Sequence, residues 1–356
     1  MVERPERLFL FVQCELPWAL GPADGRYLLR SRAGGEPEHV IVLGTLGAGR
    51  AAFARGAGPL RRRAATRRRE ALPEPKPTPV EITRVTIVDP VSLSAERQAR
   101  AWLEELDTER EVSAAFAALN RVLYAQRIAA ADPYEREVSP AQALVIRAGW
   151  GEGEQVASGL WLHAVALPWT GPRARAPGHR RPRRSPVPRA GALRADERLA
   201  ELLGAREEPL LCEELALRAR LDLDQGRLAH AAIELDRALL AALSELACEQ
   251  RADLPLRVAE LQSLHAGVAE SARAALSSGA PEEAGEQAAQ PSAPKQPGDE
   301  AAGHAPGRRA ASEMPERVAE RLAERLEQSH EEAVRHALGR LEAALRARTA
   351  AGFNRS

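Results

Sequence analysis

Two stretches rich in arginine and proline divide this chain before any element in it can be assigned. The first, 49–79, carries Arg61, Arg62, Arg63, Arg67, Arg68 and Arg69, then Pro73, Pro75, Pro77 and Pro79. The second, 169–192, carries Arg180, Arg181, Arg183 and Arg184 among further prolines. Like charges repel along the chain, and proline fixes φ and removes a backbone donor, so both stretches are expected to be extended, solvated linkers. A third region, 278–311, is rich in Ala, Gly, Pro, Glu and Gln without periodicity and is expected to be disordered. What remains is a small β segment at 1–48, a central α/β block at 80–168, a helical hairpin or bundle at 193–277 and a tethered amphipathic helix at 312–348. The expected class is α+β, predominantly α.

Composition narrows the class further. A chain of 356 residues holds two or three domains on a prior of roughly 150 residues each, and the linkers lower that number. Aromatic content of 4% and abundant alanine predict small, helical cores. The formal net charge is zero, so no global field draws the chain to nucleic acid or membrane. Only Lys76 and Lys295 are lysines among its 50 basic residues, a bias that reads first as a GC-rich bacterial genome. Cys14, Cys212 and Cys248 are odd in number and widely spaced, which implies neither a disulfide framework nor a zinc site and fits a reducing cytoplasm. The apolar run Leu8 to Val12 is too short for a signal peptide, and no stretch is long enough to span a membrane.

Three short apolar runs, 8–12, 26–30 and 39–43, are separated by Pro17, Gly21-Pro22, Asp24-Gly25 and Gly34-Gly35, the pattern of strands between turns. Three strands are marginal alone, and the β-branched run Val80 to Val88 is the nearest support. Beyond Asp89-Pro90, Ser94 is placed to cap a helix with Ala95, Ala99, Trp102, Leu103 and Leu106 on its apolar face. Thr108 and Glu111 have capping-box spacing before the stripe Val112, Phe116, Leu119 and Leu123, so two helices are expected to pack as a pair. Asp132-Pro133 stops the second. Ser139, Pro140 and Gln142 again form a capping box, but Leu144, Val145 and Ile146 equally suit a strand. Helix and strand both stay open for 140–148, with a short helix preferred. Gly149, Gly151 and Gly153 predict a mobile loop whose acidic neighbours would repel phosphate, with Trp150 either exposed or covering the core. Leu160 to Leu167 predicts a closing strand holding a satisfied core histidine, His163.

Residues 193–277 carry helical periodicity with a break at Gly226. Gly226, Leu228, Ala231, Leu235, Ala238 and Leu239 fall where a tetratricopeptide repeat places its turn glycine and its packing residues. This part resembles one such repeat, about 34 residues, where stacked arrays need about three. An αα-hairpin within a bundle is the preferred reading. Val318, Leu322, Leu326, Val334, Leu338, Leu341 and Leu345 line one side of the final helix, supported by i,i+4 pairs such as Glu331 with Arg335. Such a helix must fold back or find a partner, as in a coiled coil.

Chemistry is sparse. Val40 to Leu43 runs into Gly44, Gly47 and Gly49, which brings a dinucleotide-binding turn to mind. The spacing is GxxGxG, however, and no helix follows to aim its amides at a pyrophosphate. His330 and His336 lie on separate helix faces, and Cys212 and Cys248, expected buried on helices, lack a neighbouring base. No catalytic or metal-binding constellation stands out, and no cofactor is expected. The arginine runs would give weak, salt-sensitive binding to nucleic acid, but they lack aromatic residues for base stacking. The leading expectation is a non-enzymatic cytoplasmic scaffold or adaptor, with a protein partner or self-association at the carboxyl-terminal helix and no membrane contact. A nucleic-acid accessory protein and a nucleotide-using enzyme with its turn at 44–49 are the alternatives.

Overall fold

The computed structural model describes residues 7–46, 81–169, 189–249, 251–278 and 309–352. The linker 49–79, most of the second at 170–188 and the expected disordered stretch at 279–308 lie outside the described residues.

The amino-terminal apolar runs form β1 (Leu8–Leu16), β2 (Gly25–Leu29) and β3 (His39–Leu46), and the β-branched run forms β4 (Ile82–Val88). Farther along come β5 (Val145–Glu152) and β6 (His163–Ala166). All six join one sheet in the order β2-β3-β4-β1-β5-β6, with every pairing antiparallel. Because β4 lies between β3 and β1, the amino-terminal segment and the central block share this sheet. Alternate residues of a strand face opposite sides. On one side Val12, Cys14, Leu16, Ile41, Leu43, Val85, Ile87, Ile146 and Ala148 pack on Val112, Phe116, Leu119 and Leu123 of helix α2 (Thr108–Ala129). Each such fully buried large side chain contributes about 1.5–3 kcal/mol.

Several local expectations are corrected. Helix α1 (Glu96–Glu104) has Ala95 at its N-cap with no side-chain bond, so Ser94 does not cap it. Nor does it pair with α2. It lies on β1 and β5, where Ala99 packs with Leu8 and Trp150. The cap of α2 is Asp107, one residue before the expected Thr108, and its Oδ1 accepts from the Arg110 amide at 3.2 Å. A carboxylate caps better than a threonine and also complements the positive helix end. The Ser139 capping box does form: Ser139 N–H donates to Gln142 Oε1 at 2.8 Å. It closes only the 3-10 turn Pro140–Gln142, because Val145 already enters the strand between β1 and β6.

Helix α3 (Arg189–Leu203) begins inside the stretch expected to be linker and packs Leu199 and Leu203 into the sheet unit's core. The chain separates into two compact units, 1–209 and 210–356. The second contains α4 (Leu211–Asp224), α5 (Leu228–Ala247), α6 (Leu254–Ser278) and α7 (Arg309–Gly352). Gly226, at φ +72°, makes the turn between α4 and α5, a left-handed conformation that favours glycine. Ala231, Leu235, Ala238 and Leu239 are fully buried behind it. The protein is thus mixed α+β.

Candidate functional site

The sheet face turned away from α2 holds a cluster of charged side chains. Alternation places Phe11, Gln13 and Glu15 of β1, Arg84 and Thr86 of β4, Arg147 of β5 and Gly44 of β3 on this side. Arg84 Nη2 and Arg147 Nη1 both donate to Glu15 Oε1, each at 3.2 Å. The segment after β5 bends back over these strands, and Arg84 Nη1 donates to Ser158 O at 3.3 Å. Trp161 closes one side, 5.7 Å from the Phe11 ring and 6.0 Å from the Arg147 guanidinium carbon. At the inner end Gln13 is fully buried and donates to Thr86 Oγ1 at 2.7 Å, while its own Oε1 has no partner among the described residues.

The glycines here explain how the segment fits. A Cβ on Gly149 would lie 2.1 Å from His163 O, and one on Gly151 would lie 2.7 Å from Val156 Cγ1. These glycines belong to a paired strand crossed closely by its neighbours, so the expected mobile loop is corrected. Trp150 between them is buried on the helix-covered face and stacks on His163 at 4.6 Å. His163, expected in the core, is exposed, because β6 is the edge of the sheet.

The remaining candidates are dispersed. Gly44 is mid-strand, opposite Arg84, and so forms no phosphate turn. Gly47 and Gly49 lie outside the described residues, as do Arg61, Arg62, Arg63, Arg67, Arg68, Arg69, Arg180, Arg181, Arg183 and Arg184. In α7, Val334, Leu338 and Leu341 are wholly buried and Leu345 packs beside them, against Leu235 and Leu239 of α5 and Leu261 and Val268 of α6. That part of the expected partner stripe is occupied within the chain. Leu326 is 53% exposed; the side chains of Val318 and Leu322 are outside the described set. No family model, curated protein or solved structure matches this chain.

What the arrangement offers is charge and hydrogen-bond donors. Burial, reinforced by the Glu15 charge, pushes the Cys14 thiol up to about 12. Burial and a hydrogen bond with Glu245 likewise push Cys212 up, so neither is a ready nucleophile. Cys248, expected buried, is exposed at the end of α5. Among the described residues no group of three or more His, Cys, Asp or Glu is placed to hold a metal, and no helix is long and apolar enough to cross a membrane. Sequence reasoning missed Glu15, Arg84, Arg147 and Trp161. A signal was present for two of them, since an arginine within the β-branched run at 82–88 and another at 147 interrupt otherwise strand-like apolar patterns.

Proposed function

We propose that the protein is a non-enzymatic cytoplasmic scaffold or adaptor that acts through helical protein–protein contacts, chiefly those of α7. The observation that carries this reading is the division of α7. Its carboxyl-terminal part is core, with Val334, Leu338 and Leu341 at 0% exposure, whereas Glu324 to Gln328 are all exposed. The helix continues amino-terminally to Arg309, so about 25 residues precede Val334, roughly 37 Å at 1.5 Å per residue. The six successive residues Glu324 to Ser329 are all exposed and span more than one helical turn, a length on which a partner would supply a packed face. Three free cysteines accord with a reducing compartment.

The test is size-exclusion chromatography with light scattering on the intact chain and on a V318E/L322E/L326E variant. Cutting the chain near 279 is unsuitable, because it would remove Val334, Leu338 and Leu341 from the core. Expected is a mass above the 38.5 kDa of one chain, from a second copy or a co-purifying protein, that returns to one chain in the variant with helical content retained. A single-chain mass for both proteins, with no companion on either, overturns the reading.

A further inference from the structure

The first part of α7 carries a pattern that the rest of the helix lacks. Residues 316–327 read Glu-Arg-Val-Ala, Glu-Arg-Leu-Ala, Glu-Arg-Leu-Glu, a four-residue repeat. Each residue of a helix advances about 100°, so every fourth residue returns almost to the same side. Positions 318, 322 and 326 therefore form an apolar seam, widened along one edge by positions 319 and 323, both alanine. Arginines at 317, 321 and 325 follow the other edge, and glutamates at 316, 320 and 324 lie beyond the alanines.

Such sorting does not serve a lone helix. It sets arginine four residues from arginine and glutamate four from glutamate, spacings at which like charges destabilise an isolated helix. The part of α7 that its own unit covers is arranged otherwise, with Glu331 paired to Arg335 and Glu342 to Arg346 within the helix. That covering does not extend to the seam. Position 318 is turned about 160° from Val334, and Glu324 to Ser329 are all exposed.

What this seam fits is a copy of itself. In a pair of parallel helices related by a two-fold axis, the arginine edge of each meets the glutamate edge of the other, on both sides of the seam. An antiparallel pair would set arginine against arginine and glutamate against glutamate.

We propose that α7 binds a second copy of this chain, helix to helix and in parallel, through 316–329. This rests on the reading of α7 as a contact helix and names its partner.

The test uses the full chain. Ser329 continues the seam at its end and is exposed, so two copies of Ser329→Cys meet when the helices run in parallel and not when they run antiparallel. Cys14 and Cys212 are buried, so in a Cys248→Ser background that protein is expected to oxidise to a covalent dimer through position 329 alone. The R317E/R321E/R325E and E316R/E320R/E324R proteins are each expected to show a single-chain mass by light scattering, and their equimolar mixture the mass of two chains. The proposal is overturned, while the reading of α7 stands, if the intact chain carries a companion protein in place of a second copy, or pairs without the link at 329 or without this response to charge. A single-chain mass with no companion overturns both.

Discussion

The sheet unit and the helical unit close their cores with different residues. Behind the sheet, large side chains fill the layer: Phe116, Leu119, Leu123, Ile41 and Trp150 are almost inaccessible. In the helical unit, Ala216, Ala219, Ala231, Ala238, Ala242 and Ala337 lie between leucines at exposures of 3% or less. A helix over a sheet leaves a deep layer to fill, whereas helices packed at about 8–10 Å need small residues at the crossing. The first core should therefore be most sensitive to loss of volume, and the second to added volume.

The largest effect is expected from Trp150→Ala. It removes a ring that fills the space between Leu8, Ala99 and His163, at a cost of about 3–5 kcal/mol. Tryptophan fluorescence during denaturant unfolding follows this unit selectively, since Trp18, Trp102, Trp150, Trp161 and Trp169 all precede residue 210. A loss under about 1 kcal/mol would mean that the layer collapses around the gap, and the contrast between the cores would fail.

Added volume tests the other side. Ala231→Leu places a larger side chain where α5 is fully buried and is expected to cost about 1–3 kcal/mol by far-UV circular dichroism. Ala117→Leu, on the exposed side of α2, should stay within about 0.5 kcal/mol. Equal effects at the two positions would show that α5 yields to accommodate the leucine.

A smaller effect separates the cap that forms from those read one residue away. Asp107→Ala is expected to cost about 1 kcal/mol, whereas Ser94→Ala should lie within about 0.5 kcal/mol because Ser94 makes no cap bond.

These contrasts show where the sequence was legible. The stripe Val112, Phe116, Leu119 and Leu123 needed only helical periodicity, and all four residues are buried as read. Gly226 and Ala231 were equally plain, because a turn glycine and a small packing residue follow from local chemistry. Local pattern does not carry pairing between distant strands. Nothing near Val145 says that it pairs with Glu15, 130 positions away, so the register that brings Arg84 and Arg147 to one carboxylate was invisible. The same limit explains Trp150 and His163, whose burial depends on which strand is an edge. For α7 the stripe did not say what covers it: Val334, Leu338, Leu341 and Leu345 pack on α5 and α6, whereas Leu326 is exposed.

The smallest effect concerns what holds that covered half. Arg220 donates to Glu342 at 2.7 Å and Arg251 donates to the carbonyls of Ala347 and Arg348, so polar groups as well as leucines tie α7 to the helical unit. The Arg220 and Glu342 side chains are each 25% exposed, and pairs with that much access to solvent are worth about 0.2–1 kcal/mol. Glu342→Gln should accordingly cost no more than about 1 kcal/mol, and raising salt to about 0.5 M should move the unfolding midpoint little, since screening acts on the pair but not on apolar contact. Leu338→Ala, in contrast, removes a wholly buried side chain and should cost about 2–5 kcal/mol. If Glu342→Gln or salt released α7 as readily as Leu338→Ala, charge at the rim would hold this helix, and the alanine–leucine packing of the second unit would not extend to its last element.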